Sequence, residues 1–172
     1  MTELRTARLL IRRARPNDLD ALFTVLSHPR ATRYWSTPPH ADREQTRAWM
    51  ADMLEPGPGR EDFVVEMDGR VIGKAGFWRL PEIGYILHPD TWGRGLAQEA
   101  LTAILDHVVA ATDTETFTAD VDPRNAASIR LLEGLGFHRT GFAERTWNVG
   151  GEWCDSLYYA LDRGDWTARD KA

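Results

Sequence analysis

The stretch YILHPDTWGRGLA, residues 85–97, decides how the chain is read. It runs from a strand end, through a turn broken by Pro89, to two glycines at the mouth of a helix. The helix's apolar stripe continues as Ala97, Ala100, Leu101, Ile104, Leu105 and Val108. The first turn of a helix carries N–H groups without intrahelical partners and the positive end of the summed peptide dipoles. Gly93, Arg94, Gly95, Leu96 and Ala97 therefore make a backbone cradle for phosphate oxygens, and glycine lets a ligand approach closely. A tight strand-to-helix turn with no ligand also uses Gly-x-Gly, so the surroundings must decide. A nucleotide P-loop needs Gly-Lys-Ser/Thr, whereas Leu96-Ala97-Gln98 follows the second glycine. A dinucleotide loop needs a small residue where Gln98 stands and an early place in a parallel sheet, which argues against a nicotinamide-binding protein.

Working outward, residues 82–88 form the strand that feeds this loop. Residues 62–67 and 71–79 have period two and flank Asp68-Gly69, the pair that suits a two-residue type I′ hairpin turn. Further upstream, residues 8–13 make an opening strand, and Pro16-Asn17-Asp18 starts a helix with Leu19, Leu22, Phe23 and Leu26 on one face. A second helix follows Pro38-Pro39, with Asp42 as cap, Gln45 at the reciprocal position and Trp49, Met50 and Met53 as its core-facing stripe. Downstream, the long helix closes near Ala111, residues 116–121 are a strand, and 125–135 a short helix ending at Gly134 and Gly136. Two last strands, from Phe137 and from Cys154, turn around Gly150-Gly151. The order is βααβββαβαββ. Strand, helix and strand between 82 and 121 require a right-handed parallel crossover, while the hairpins are antiparallel. The expected fold is α/β (α+β): a mixed, largely antiparallel sheet with helices on both faces, residues 1–172 forming one domain.

Composition narrows the function. The 172 residues carry 21 Lys+Arg against 26 Asp+Glu, a net charge of −5, and 42% are hydrophobic, enough for a real core and against disorder. Apolar runs fall far short of the ~20 residues that span a bilayer, and the polar, basic opening lacks the apolar stretch of a secretion signal. A cytoplasmic protein with no membrane partner is expected. The lone Cys154 excludes an intrachain disulfide and a multi-cysteine zinc site, none of the five histidines falls in a His-x-x-x-His pair, and no metal is expected. The acidic balance argues against nucleic acid as a partner.

Trp92-Gly93-Arg94-Gly95-Leu96-Ala97 resembles the pyrophosphate loop of the GNAT superfamily of N-acetyltransferases, Gln/Arg-x-x-Gly-x-Gly/Ala, matching at Gly95 and Ala97 and departing at Trp92. A second superfamily motif, Asn-x-x-Ser/Ala followed by a short helix and Gly-Phe, is matched by Asn125, Ser128 and Gly136-Phe137. The opening TARLLIRRARPNDLDALFTVLSHPRATRYW and the phrase EIGYILHPDTWGRGLAQEAL look most like the branch containing ribosomal-protein alanine N-acetyltransferases, so the resemblance covers nearly the whole chain. It implies an acetyl-CoA-dependent N-acetyltransferase, with Ile86, Leu87, His88, Gly93, Arg94, Gly95, Leu96, Ala97, Gln98 and Asn125 on the acetyl-CoA and Asn125 meeting the pantetheine amides. The family's general-acid tyrosine lies seven residues after the asparagine, and that position is Leu132.

Acetyl transfer to an amine needs a base, because an alkyl amine near pKa ~10 is mostly protonated at neutral pH. Glu82 is the leading candidate: in an extended strand it shares a face with Gly84, Ile86 and His88, and that strand runs into the loop. The resemblance agrees, since some members carry a base glutamate four residues before the strand-end tripeptide, here Ile86-Leu87-His88; the competing reading is an ordinary surface glutamate. Asp155 and Glu152 are the next carboxylates. The donor to the acetyl carbonyl is a backbone N–H near Leu87, freed where Pro89 ends the ladder. Ser128, the one hydroxyl of the second motif, is assigned to the departing thiolate, against a role in capping or packing. Asn125 also suits a helix cap, and His88 is more readily a packing residue than a proton shuttle. Tyr34, Trp35, Trp78, Trp147 and Trp153 are candidates to hold the acceptor, a protein N-terminal amine or a small amine. A non-catalytic acyl-CoA sensor on the same fold is the alternative, and the assembly is a monomer or a homodimer.

Overall fold

Eight strands of the computed structural model, which describes residues 2–169, join in one sheet. They are β1 (Glu3–Arg5), β2 (Leu10–Arg12), β3 (Glu61–Met67), β4 (Arg70–Arg79), β5 (Glu82–Leu87), β6 (Thr116–Val121), β7 (His138–Val149) and β8 (Glu152–Asp162). Their order is β1-β2-β3-β4-β5-β6-β8-β7, antiparallel throughout except between β5 and β6. The helices are α1 (Leu19–Leu26), α2 (Arg43–Leu54), α3 (Leu96–Ala111), α4 (Ala126–Gly134) and α5 (Arg163–Ala168).

The expected order is corrected at both ends. The opening strand is two short ones joined by a tight turn, Thr6 N–H donating to the Leu9 carbonyl at 3.0 Å. The last element among the described residues is α5, too short to show helical periodicity; Trp166, 3% exposed, anchors it and donates to Asp106 Oδ1 at 2.9 Å. The hairpin turn forms as the letters require, with Asp68 at φ 52° and Gly69 at φ 75°. Asp42 caps α2 by accepting from the Gln45 amide at 2.9 Å, and Gln45 returns a bond to the Ala41 amide at 2.9 Å, one residue before the cap.

Alternation along the strands divides the apolar residues into two cores, one on each face of the sheet. Phe63, Val65, Phe77, Ile83 and Phe117 meet Leu101, Ile104, Leu105 and Val108 of α3 and Leu132 of α4. On the opposite face Val64 and Ile86 meet Leu22, Val25 and Leu26 of α1 and Met50 and Met53 of α2. Helices thus cover both faces, as expected.

The feature that positions the site is a failure of pairing. β5 and β6 register as a parallel pair only at Glu82↔Thr118, where Thr118 N–H also donates to the Pro81 carbonyl at 2.9 Å. Beyond that point the two strands part, each held on its far side by an antiparallel neighbour, β4 or β8. The sheet is therefore open in its middle.

Candidate active site

The opening between β5 and β6 is the floor of a cleft of about 1270 Å³. Its edges follow from the β4–β5 register. His88 N–H donates to the Ile72 carbonyl at 2.8 Å, which makes 72/88, 74/86 and 76/84 the hydrogen-bonded pairs. The amides of Tyr85 and Leu87 therefore point away from β4, into the gap where β6 has parted. Leu87's amide meets no protein acceptor among the described residues because of this splay, not because Pro89 ends the ladder, which continues through His88. Ile86 turns its amide toward β4 and its side chain into the second core.

The glycine loop sits at the end of β5. Gly93 and Gly95 adopt φ 71° and 72°, left-handed values that L side chains rarely take, while a Cβ at Gly93 would meet nothing within 4 Å. Backbone conformation, not crowding, calls for glycine here. Gly95 is the N-cap of α3 and brings no side-chain cap; the first helical bond runs from Glu99 N–H to the Gly95 carbonyl at 3.0 Å. The amides of Leu96, Ala97 and Gln98 take no protein acceptor among the described residues. Three orphan donors at a helix mouth fit an anion.

Two contacts unread in the sequence hold this loop. Trp92, which stands where the family pattern has Gln or Arg, donates its indole N–H to the Leu87 carbonyl at 2.9 Å and so ties loop to strand. Arg8, from the turn before β2, reaches Glu99 in the first turn of α3 through Nε at 2.7 Å and Nη2 at 2.6 Å, and donates from Nη1 to the Arg94 carbonyl at 2.8 Å. Glu99 also accepts from the Thr6 hydroxyl and the Arg8 amide. Burial pushes its carboxyl up, but these hydrogen bonds and the Arg8 charge outweigh burial and hold it below the usual carboxylate range. Arg94 contributes its carbonyl to this clamp rather than a side chain to the cleft wall. His88 also lies off the wall: its Nδ1 accepts from the Asp90 amide at 3.3 Å and its ring meets His28 edge-on at 5.3 Å.

Across the cleft, Asn125 is the N-cap of α4, its Oδ1 accepting from the Ser128 amide at 3.2 Å. Ser128 Oγ lies 2.5 Å from the Tyr85 hydroxyl. Leu132, at the family's tyrosine position, is 1% exposed and belongs to the main core. Glu82 stands at the apex of the splay, where a β4 bulge leaves Trp78 unpaired and lets its indole donate to Glu82 Oε1 at 3.2 Å. Beside it lies an ion pair, Lys74 Nζ to Asp62 Oδ1 at 2.8 Å, both residues 2% exposed and the contact lacking hydrogen-bond alignment. Trp35 covers Lys74 at 5.6 Å from its ring centroid. Tyr34, Trp35, Trp78 and Trp147 all line the cleft, whereas Trp153 does not and stacks under Arg145 instead. Trp49, expected in the core, packs there partly and also reaches the wall. Asp155 and Glu152 line the wall too, Glu152 paired to Arg124 and Asp155 accepting from the Arg145 amide at 2.9 Å.

An anion cradle at a helix mouth, set beside an open strand edge with a free amide, is the framework of an acyl-CoA-dependent transferase. The chain belongs to the GNAT acetyltransferases: the family model described as "Acetyltransferase (GNAT) domain" matches residues 8–138. It is 30% identical over 171 residues to the N-acetyltransferase p20 of Bacillus licheniformis, a match that covers 94% of this chain and 96% of that one. A GNAT-family acetyltransferase of Bacillus anthracis superposes with a TM-score of 0.80 at 25% identity, over 95% of this chain and 99% of that one. The [ribosomal protein uS5]-alanine N-acetyltransferase of Escherichia coli is 34% identical over 85 residues, 49% of this chain and 44% of its own. The protein is an acyltransferase, as the motifs imply.

Proposed function

We propose that the protein transfers the acetyl group of acetyl-CoA directly to a primary amine, with donor and acceptor meeting at the β5–β6 splay. The single observation that carries this reading is the Leu87 amide, without a protein acceptor among the described residues, on an open strand edge that runs into the loop bearing the three orphan amides of the α3 N-terminus. Acetyl-CoA supplies an activated acyl group; the residues around it bind, orient and move protons. The amides of Leu96, Ala97 and Gln98, with Gly93 and Gly95, hold the pyrophosphate, and the side-chain amide of Asn125 meets the pantetheine. Leu87 N–H polarises the acetyl carbonyl, and the Ser128 hydroxyl donates to the sulfur as it departs. Glu82 takes the amine's proton through water, with Trp78 fixing the carboxylate's orientation. The acceptor is a protein N-terminal amine or a small amine: partial likeness to the uS5-alanine enzyme supports the first, and 30% identity over 116 residues to an L-methionine sulfoximine/L-methionine sulfone acetyltransferase of Salmonella typhimurium supports the second.

Glu82→Gln tests the base. The amide keeps the shape and the Trp78 contact but accepts no proton, so turnover at neutral pH falls by about 10²–10⁴-fold with acetyl-CoA affinity nearly unchanged. Activity returns at high pH, where the amine deprotonates in solution. A parental rate across the whole pH range would assign the base to another group, Asp155 or Glu152 first.

A further inference from the structure

Tyr85 brings to the cleft a hydroxyl that the scheme above leaves unused. It stands on the α3 face of β5 with its ring against the main core, and its phenol oxygen lies 2.5 Å from Ser128 Oγ on α4. Among the described residues the phenol has no other hydrogen-bond partner. Acidity and burial settle which hydroxyl donates. A phenol is a far stronger acid than an aliphatic alcohol and hence the better donor; were Ser128 to donate instead, the phenolic proton would be left without a protein acceptor among the described residues. With Tyr85 donating, the Ser128 oxygen is engaged as an acceptor and its own O–H is left to turn into the cleft.

We propose that Tyr85 is a positioning residue for the transfer: by donating to Ser128 Oγ it aims the serine O–H at the thioester sulfur, a task that Leu132 cannot perform from α4. This rests on the role given to Ser128 above. Burial outweighs the Ser128 contact and pushes the phenol up to about 12, so Tyr85 keeps its proton over the working range of an acetyltransferase. In the transfer the amine nitrogen bonds to the acetyl carbon, the C–S bond breaks and its electron pair goes to sulfur, while the amine's proton goes through water to Glu82. The Tyr85–Ser128 pair gives up no proton. A thiol ionises near ~8.5, well below either hydroxyl, so the pair stabilises a negative sulfur by hydrogen bonding alone.

CoA itself is the probe, and no acceptor is needed. The ionisation of its thiol, bound to the protein, is followed by thiolate absorbance against pH in the parent, Tyr85→Phe, Ser128→Ala and the double variant. A donor at sulfur favours the thiolate, so Ser128→Ala raises the bound thiol's pKa by about one unit, a tenfold change in the ionisation constant. Tyr85→Phe raises it by a similar amount, and the double variant goes no further than Ser128→Ala alone. With acetyl-CoA and an amine acceptor, Tyr85→Phe lowers kcat about tenfold and leaves the KM for acetyl-CoA within roughly twofold. If Ser128→Ala leaves the bound thiol unchanged, the serine is not the sulfur's donor, and its role in the functional reading falls together with that of Tyr85. If Ser128→Ala shifts the thiol but Tyr85→Phe does not, or if the two shifts add, only the role of Tyr85 is overturned. Should Tyr85→Phe fail to fold, 3-fluorotyrosine at position 85 keeps ring and hydroxyl; its more acidic phenol lowers the bound thiol's pKa, and an unmoved pKa overturns the proposal.

Discussion

Arg8→Ala removes the clamp on the glycine loop without touching any residue placed on acetyl-CoA. The side chain makes two contacts to Glu99, at 2.7 and 2.6 Å, and one to the Arg94 carbonyl at 2.8 Å. Charge-assisted bonds of this kind are worth about 1.5–3 kcal/mol each when buried. The Arg8 side chain is 44% exposed, so solvent screening reduces the whole set to ~1–2 kcal/mol. Glu99 keeps its bonds from the Thr6 hydroxyl and the residue 8 amide, so the start of α3 stays tied to the turn before β2 while the Arg94 carbonyl is released. The loss then falls on loop order rather than on the fold, and a disordered loop must be ordered by its ligand. Acetyl-CoA affinity, measured by calorimetry, should drop about 5–30-fold, while kcat at saturation stays near the parental value. Arg8→Lys should recover only part of this, because one ammonium cannot span Glu99 and the Arg94 carbonyl as the guanidinium fork does. An Arg8→Ala protein with parental acetyl-CoA affinity would refute the argument that the clamp pre-orders the loop.

Gly95→Glu places a side chain at φ 72° and a carboxylate beside the orphan amides, so acetyl-CoA binding by calorimetry should be lost while the chain still folds. Lys74→Met leaves Asp62, 2% exposed, without its counter-charge, and should cost about 3–5 kcal/mol in urea unfolding; pairing it with Asp62→Leu should recover most of that loss. His40 is buried with its Nδ1 2.9 Å from the Thr46 hydroxyl, and burial, opposed by the Asp42 charge, lowers its pKa. Its neutral form therefore stabilises the fold above the unfolded value of ~6.5, and that contribution is lost as pH falls from there through the folded pKa. The urea midpoint should drop between pH 7.5 and 5.5 in the parent, and by less in His40→Gln.

Local chemistry carried much of this protein into view. Asp68-Gly69 specifies its turn because both residues must take positive φ, Asp42 marks a helix start because a carboxylate satisfies an orphan amide, and alternation along residues 62–67 and 71–79 sorts two cores onto two faces. Gly93 and Gly95 were legible for the same reason, since a left-handed backbone at a helix mouth leaves few other residues to choose from. The splay was not legible, because parting of β5 from β6 depends on what each strand pairs with on its far side, and no pattern inside residues 82–88 or 116–121 records that. It alone decides that the Leu87 amide meets no protein acceptor among the described residues. Arg8 on Glu99, 91 positions apart, and Tyr85 on Ser128, 43 apart, lie beyond any sequence period. Those contacts exist because the sheet brings the turn before β2 to the mouth of α3 and sets α4 against β5. Residue type and short-range geometry thus marked the turns, caps and the loop that can bind an anion, whereas strand pairing at long range determined which backbone groups stay unpaired and which side chains share the cleft.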